Sequence, residues 1–275
     1  MSETPERTPK NPAGLRDLPF PLPKVSEKKR ERAAEIDAAL AERYPDAHCA
    51  LDYTTAHELL IATILSAQTT DANVNKATPA LFKAFPTPAD YAHAGAEAIE
   101  PYVKSLGFFR NKARAIAETM QAIVETHGGE VPRTMEELLA LRGVARKTAN
   151  VVLGNAFDIN AGFVVDTHIE RLAKRFDLAP QDATVTMVER YLCAQFPREH
   201  WCILSHRLIA HGRAVCKARG WLCEQDEICR RFCRNARSAK RPKKKTTKKA
   251  GAKKSGRKAA TKSAKKPARR SGRSS

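Results

Sequence analysis

The chain has 275 residues, 42% of them hydrophobic, enough for one large or two modest packed cores and too much for a wholly disordered protein. Its net charge of +19 is concentrated at one end: residues 234–275 carry nineteen of the 49 Lys and Arg and none of the 30 acids, so the preceding body has thirty charges of each sign. No signal-peptide pattern opens the chain, and the longest strongly apolar run, LLIATIL at 59–65, is far too short for a membrane-spanning helix, so a soluble intracellular protein is expected.

In chain order, residues 1–27 are expected to form a flexible leader with prolines at 5, 9, 12, 19, 21 and 23. From Lys28 the pattern becomes helical: Ala33, Ile36, Leu40 and Tyr44 share one stripe, closed by Pro45. Helices are expected at 55–67, 71–84, 95–104, 110–127, 134–141, 147–156, 167–175, 181–195 and 198–211. Period-two alternation is confined to 161–165. The fold class is therefore all-α, with about ten helices.

Within this series, TMEELLALRGVARKTANVVLGNAF at 134–157 is a helix, a very short Gly-containing break and a second helix starting at or just before Lys147. The start of such a second helix presents unpaired backbone N–H groups and a positive dipole end, a ready phosphate site. Gly143 lets a phosphate approach the chain closely. By itself such a segment is more often an ordinary helical hairpin than a DNA-binding one.

Four of the seven cysteines, Cys216, Cys223, Cys229 and Cys233, fall within eighteen residues. In a chain with no secretory pattern, such a cluster points to a metal site more than to disulfides. Four thiolates suit either tetrahedral zinc or an iron–sulfur cluster. Cys49, Cys193 and Cys202 are isolated and take no metal role.

LRGVARKTANVV at 141–152 resembles the helix-hairpin-helix segment of the endonuclease III family of base-excision DNA glycosylases, usually LPGVGRKTANVV. The resemblance extends through LLIATILSAQTTDANVNKA at 59–77, SLGFFRNKARAI at 105–116, VVDTHIERLAKRF at 164–176 and SHRLIAHGRAVC at 205–216, covering about residues 30–233. It implies two helical domains: 49–159, a six-helix domain with the hairpin, and 28–48 together with 160–233, which carries the cysteines. It also implies a bifunctional glycosylase and abasic-site lyase acting on oxidised or fragmented pyrimidines in duplex DNA. A non-enzymatic DNA binder and a monofunctional glycosylase are the alternatives.

Lys147 matches the family's nucleophile, which must lose its proton through desolvation or neighbouring cations to attack C1′. Asp166 matches the essential aspartate; with Thr167 as N-cap and Glu170 completing a capping box, its carboxylate is expected to be free. Gln68 matches the residue that enters the vacated base stack, and Phe108 the opposite wedge, usually Leu. Arg142 stands where the family has Pro and Ala145 where it has a second Gly; with Gly143 they form the expected phosphate-binding hairpin. Lys112 and Arg146 are expected phosphate contacts, and His168 matches a histidine beside the cleft.

The resemblance favours a [4Fe–4S] cluster over zinc, although the family spacing C-x6-C-x2-C-x5-C here reads x6, x5 and x3. The tail from 234 lacks apolar residues able to offset the entropy of ordering, so it is expected to be disordered and to hold DNA phosphates without sequence preference. The expected protein is a monomer, away from membranes and close to DNA: cytoplasmic and nucleoid-associated, or nuclear in a eukaryote.

Overall fold

In the computed structural model, residue 11 and residues 15–239 are described. Twelve α-helices and one 3-10 turn, Arg198–His200, make up the regular structure of these residues. They are α1 Glu27–Arg43, α2 Ala56–Leu65, α3 Asp71–Ala84, α4 Pro88–Val103, α5 Phe109–His127, α6 Met135–Ala140, α7 Arg146–Ala156, α8 Thr167–Arg175, α9 Val185–Gln195, α10 Trp201–Ala214, α11 Glu227–Phe232 and α12 Arg234–Ala239. No described helix is long and apolar enough to cross a membrane.

Local chemistry sets many of the boundaries. Thr55 and Glu58 form a reciprocal capping box at the start of α2, and Thr87 with Asp90 does the same for α4. Thr70, Thr134 and Thr184 cap α3, α6 and α9 through their hydroxyls. Gly128, at φ 61°, ends α5 in the left-handed conformation. Gly95, at φ 71°, breaks α4 in two, so the expected helix from 95 is only its second part. The alternating stretch at 161–165 forms no strand; Phe163, Val164 and Val165 are buried in the segment between α7 and α8.

The buried side chains gather in two clusters. One contains α1, α8, α9, α10 and the four clustered cysteines, among them Ile36, Leu40, Phe176 and Trp201. The other is built from α2 to α7, with Leu59, Leu60, Tyr91, Ile116 and Leu153. Burial of large side chains in each, at about 25 cal/mol per Å² of apolar area, drives the assembly.

Two expectations about the ends are corrected. Residues 15–26 form no helix, yet they are not loose: Leu18 and Phe20 are 2% and 6% exposed and belong to the first cluster. Asn11 ties this strap, donating to the Phe20 carbonyl and accepting from the Leu22 N–H, both at 2.8 Å. Asp17 pairs with Arg198 at 2.8 Å. At the other end, residues 234–239 form α12, because Ala236 buries against the first cluster and Arg234 reaches Asp177 at 3.2 Å. The basic-tail expectation beyond residue 239 lies outside the described residues.

Candidate active site

α6 and α7 are joined by residues 141–145, and Gly143 makes the break. Its φ of +76° is costly for any side chain, and an added Cβ would lie 3.2 Å from the Ala115 Cβ. The Arg142 carbonyl accepts from the Thr119 hydroxyl at 2.6 Å, fixing the turn on α5. Ala145 is the N-cap of α7 and supplies no side-chain acceptor, so the first N–H groups of α7 stay open. The Arg142 side chain is half exposed but engaged by Glu118, so the extra cation is neutralised in the free protein.

Lys147, in the first turn of α7, is exposed. It lines two adjoining cavities of about 320 and 650 Å³, and Asp166 lines both. Ser66, Asp71 and Arg213 also line both. The latter two form an ion pair from the start of α3 to the end of α10. Sequence reasoning passes over Ser66 and Arg213, though both lie inside segments matched to the family. Asp71 stands in the first turn of α3, which Thr70 caps.

Asp166 departs from expectation. Its backbone is extended, at φ −102° and ψ −177°, so it is itself the N-cap of α8, and its Oδ1 accepts from the Ile169 N–H at 2.7 Å. Glu170 makes no capping box and instead pairs with Lys174 at 2.6 Å. One carboxylate oxygen therefore fixes Asp166 on the helix end. A hydrogen-bonded anchor of this kind orients the side chain towards the cleft that it lines with Lys147.

His168 lines the larger cavity. Burial lowers its imidazole pKa, against an opposing pull from Asp166. The Arg171 guanidinium lies 3.1 Å from its Nδ1. The same guanidinium donates to the carbonyls of Gly212 and Cys216, both at 3.0 Å.

Gln68 and Phe108 lie in two loops and share one unusual feature. Both are exposed, Phe108 at 65%, and both hold positive φ, 54° and 56°. Phe109 instead packs against the second cluster. Two expected phosphate contacts are corrected. Lys112 is only 6% exposed and its Nζ donates to the Thr69 hydroxyl at 2.6 Å. Arg146 points away from the open end of α7: its Nε donates to both Glu189 oxygens, at 3.0 and 2.9 Å, and its guanidinium lies 4.9 Å from the Phe20 ring centre.

The four thiols of Cys216, Cys223, Cys229 and Cys233 are fully buried, with all Sγ atoms within 4.8 Å of one another. Three of the separations are 3.6, 3.9 and 3.9 Å. Arg175 donates to the Cys216 Sγ at 3.3 Å. This is a soft, four-donor set able to hold a metal, sheltered from solvent and supplied with a cation beside the sulfur.

Residues 61–198 match the family described as HhH-GPD superfamily base excision DNA repair protein. The endonuclease III of Synechocystis sp. is 50% identical over 200 residues, 73% of this chain and 91% of that protein. The chain belongs to the endonuclease III family. The Bacillus subtilis endonuclease III is 42% identical over 186 residues, 68% of this chain and 84% of its own. Among solved structures, a trapped endonuclease III–DNA covalent intermediate has a TM-score of 0.73 at 40% identity, covering 79% of this chain and 100% of that one. A non-covalent endonuclease III–DNA complex gives the same TM-score and identity. A thermostable thymine-DNA glycosylase, at 20% identity and TM-score 0.68, shares the endonuclease III fold.

Proposed function

We propose that this chain is a bifunctional DNA glycosylase and abasic-site lyase, removing oxidised or fragmented pyrimidines from duplex DNA and then cutting the strand. The observation that carries the reading is the pairing of Lys147 and Asp166 on one cleft beside the open end of a hairpin helix. The likeness to an endonuclease III trapped covalently on DNA supports it. In this mechanism a phosphate sits at the α7 N–H groups and duplex DNA closes over the exposed Lys147, excluding water. The free amine attacks C1′, the base leaves, and the resulting imine allows β-elimination at the sugar. Asp166, held by its capping bond, stabilises positive charge on the sugar and assists deprotonation of the amine. Gln68 and Phe108 fill the gap left by the extruded nucleotide, and His168 lines the cleft.

The cleft lies between the helical domain 49–159 and the domain formed by 28–48 and 160–233. The four thiolates hold a metal centre that braces the loop following α10. The resemblance favours [4Fe–4S]. A single tetrahedral ion such as zinc is the alternative that four thiolates also suit. The basic tail adds non-specific affinity for phosphates and keeps a monomeric enzyme close to DNA.

Lys147→Gln tests the reading. Borohydride trapping on abasic duplex DNA should vanish while binding to that DNA stays within about threefold. Trapping by the variant at the wild-type rate would remove Lys147 as nucleophile.

A further inference from the structure

Lys112 is a buried cation with no role in the chemistry above. It lies in the first turn of α5 and is 6% exposed, and among the described residues no carboxylate pairs with it. Its Nζ donates to the Thr69 hydroxyl at 2.6 Å. Desolvation lowers its pKa from the ordinary lysine value. Methionine would fill the same space without the cost of removing an ammonium from water.

What the bond connects explains its use. Thr69 directly follows Gln68, and its hydroxyl also reaches the Ala67 carbonyl at 3.4 Å, on the peptide preceding that residue. Lys112 lies one turn beyond Phe108, to whose carbonyl its own N–H donates at 3.1 Å. Gln68 and Phe108 are exposed, and both are held in the left-handed region that non-glycine residues avoid. A single ammonium–hydroxyl bond thus joins the bases of two strained loops that are 40 residues apart in sequence.

We infer that Lys112, through Thr69, is a positioning residue that braces the Gln68 and Phe108 loops against each other, so that both residues enter the base stack as one pre-set unit. The inference rests on the gap-filling role proposed above for those two residues. Pre-organisation lowers the cost of ordering two loops at the moment of extrusion, so the brace matters where a stack must be opened and not where it is already open.

The experiment compares wild type with Lys112→Met, Thr69→Val and the double variant in single-turnover cleavage at saturating enzyme. The abasic nucleotide is placed either in a fully paired duplex or inside a bubble of mismatches. Each single variant should lose about tenfold on the paired duplex and less than twofold in the bubble, with the double variant no worse than either single. A second readout needs no chemistry: 2-aminopurine opposite a tetrahydrofuran abasic analogue should brighten on binding wild type and brighten less with each variant at saturation. Thr69→Val, which removes one loop hydroxyl at constant shape, keeps the test open if Lys112→Met fails to fold. Equal losses on the two substrates, losses that multiply in the double variant, or unchanged cleavage and fluorescence would overturn the brace. Wild-type protein that brightens the probe but cuts neither substrate would overturn the lyase reading and leave the brace standing.

Discussion

Glu189→Ala probes the link between the hairpin helix and the rest of the fold. The Glu189 side chain is 7% exposed and that of Arg146 28%. The carboxylate accepts two bonds from the Arg146 Nε, at 3.0 and 2.9 Å, and one from the buried Asn150 amide at 3.2 Å. Its removal leaves a largely buried guanidinium and an amide without their acceptor. Breaking a buried pair from one side costs about 3–5 kcal/mol, and the partial exposure of Arg146 places this case near about 3 kcal/mol. For a fold of this size that corresponds to a fall in Tm of roughly 6–12 °C. Circular-dichroism melts of Glu189→Ala, Arg146→Met and the Arg146→Met/Glu189→Met pair form the assay. The double variant should recover much of the loss, because it removes the stranded charge along with its partner. A melt of Glu189→Ala within 2 °C of wild type, or strictly additive single effects, would refute the reasoning.

Phe20→Ala should cost about 3 kcal/mol and expose residues 15–26 to limited proteolysis, since the ring fills the first cluster and lies under Arg146 and Arg190. Burial pushes the His206 imidazole down to about 4 from 6.5, so the unfolded chain binds the extra proton between those values. The stability it contributes is full above pH 6.5 and is lost as pH falls through about 4, by roughly 3 kcal/mol. His206→Asn should therefore flatten the dependence of Tm on pH over that window, and an unchanged curve would show that another group governs it. Protein purified anaerobically should carry about four irons per chain if Cys216, Cys223, Cys229 and Cys233 hold a cluster, and one zinc without iron if they hold a single ion. Cys229→Ala should reduce either metal content, and full retention would remove that thiol from the ligand set.

Sequence by itself determined the features whose physics is local or carried by motif. The helix start at Thr55 follows from a cap and an acid three residues on, a signal contained within one turn, whereas the same signal at Thr87 and Asp90 was missed by an expected helix beginning at 95. The four cysteines lie close in sequence, and they converge into one buried set. Lys147 and Asp166 stand in segments that match a known family, and both line one cleft.

Tertiary structure alone decided what each long cation does. Lys112 and Arg146 read equally well as surface charges, because a flexible stem gives no indication of burial. Each finds its partner 43 residues away, Thr69 and Glu189, a distance over which no helical periodicity carries information. The strap at 15–26 has no period at all, and Leu18 and Phe20 become core only because the first cluster offers them an apolar surface. The T-x-x-E pattern at Thr167 and Glu170 pointed to Thr167 as cap of α8, although either side chain can accept the bond. The extended backbone at Asp166 and its bond from the Ile169 N–H make Asp166 the cap. Local rules reach three or four residues along the chain, whereas burial depends on what the rest of the fold brings alongside.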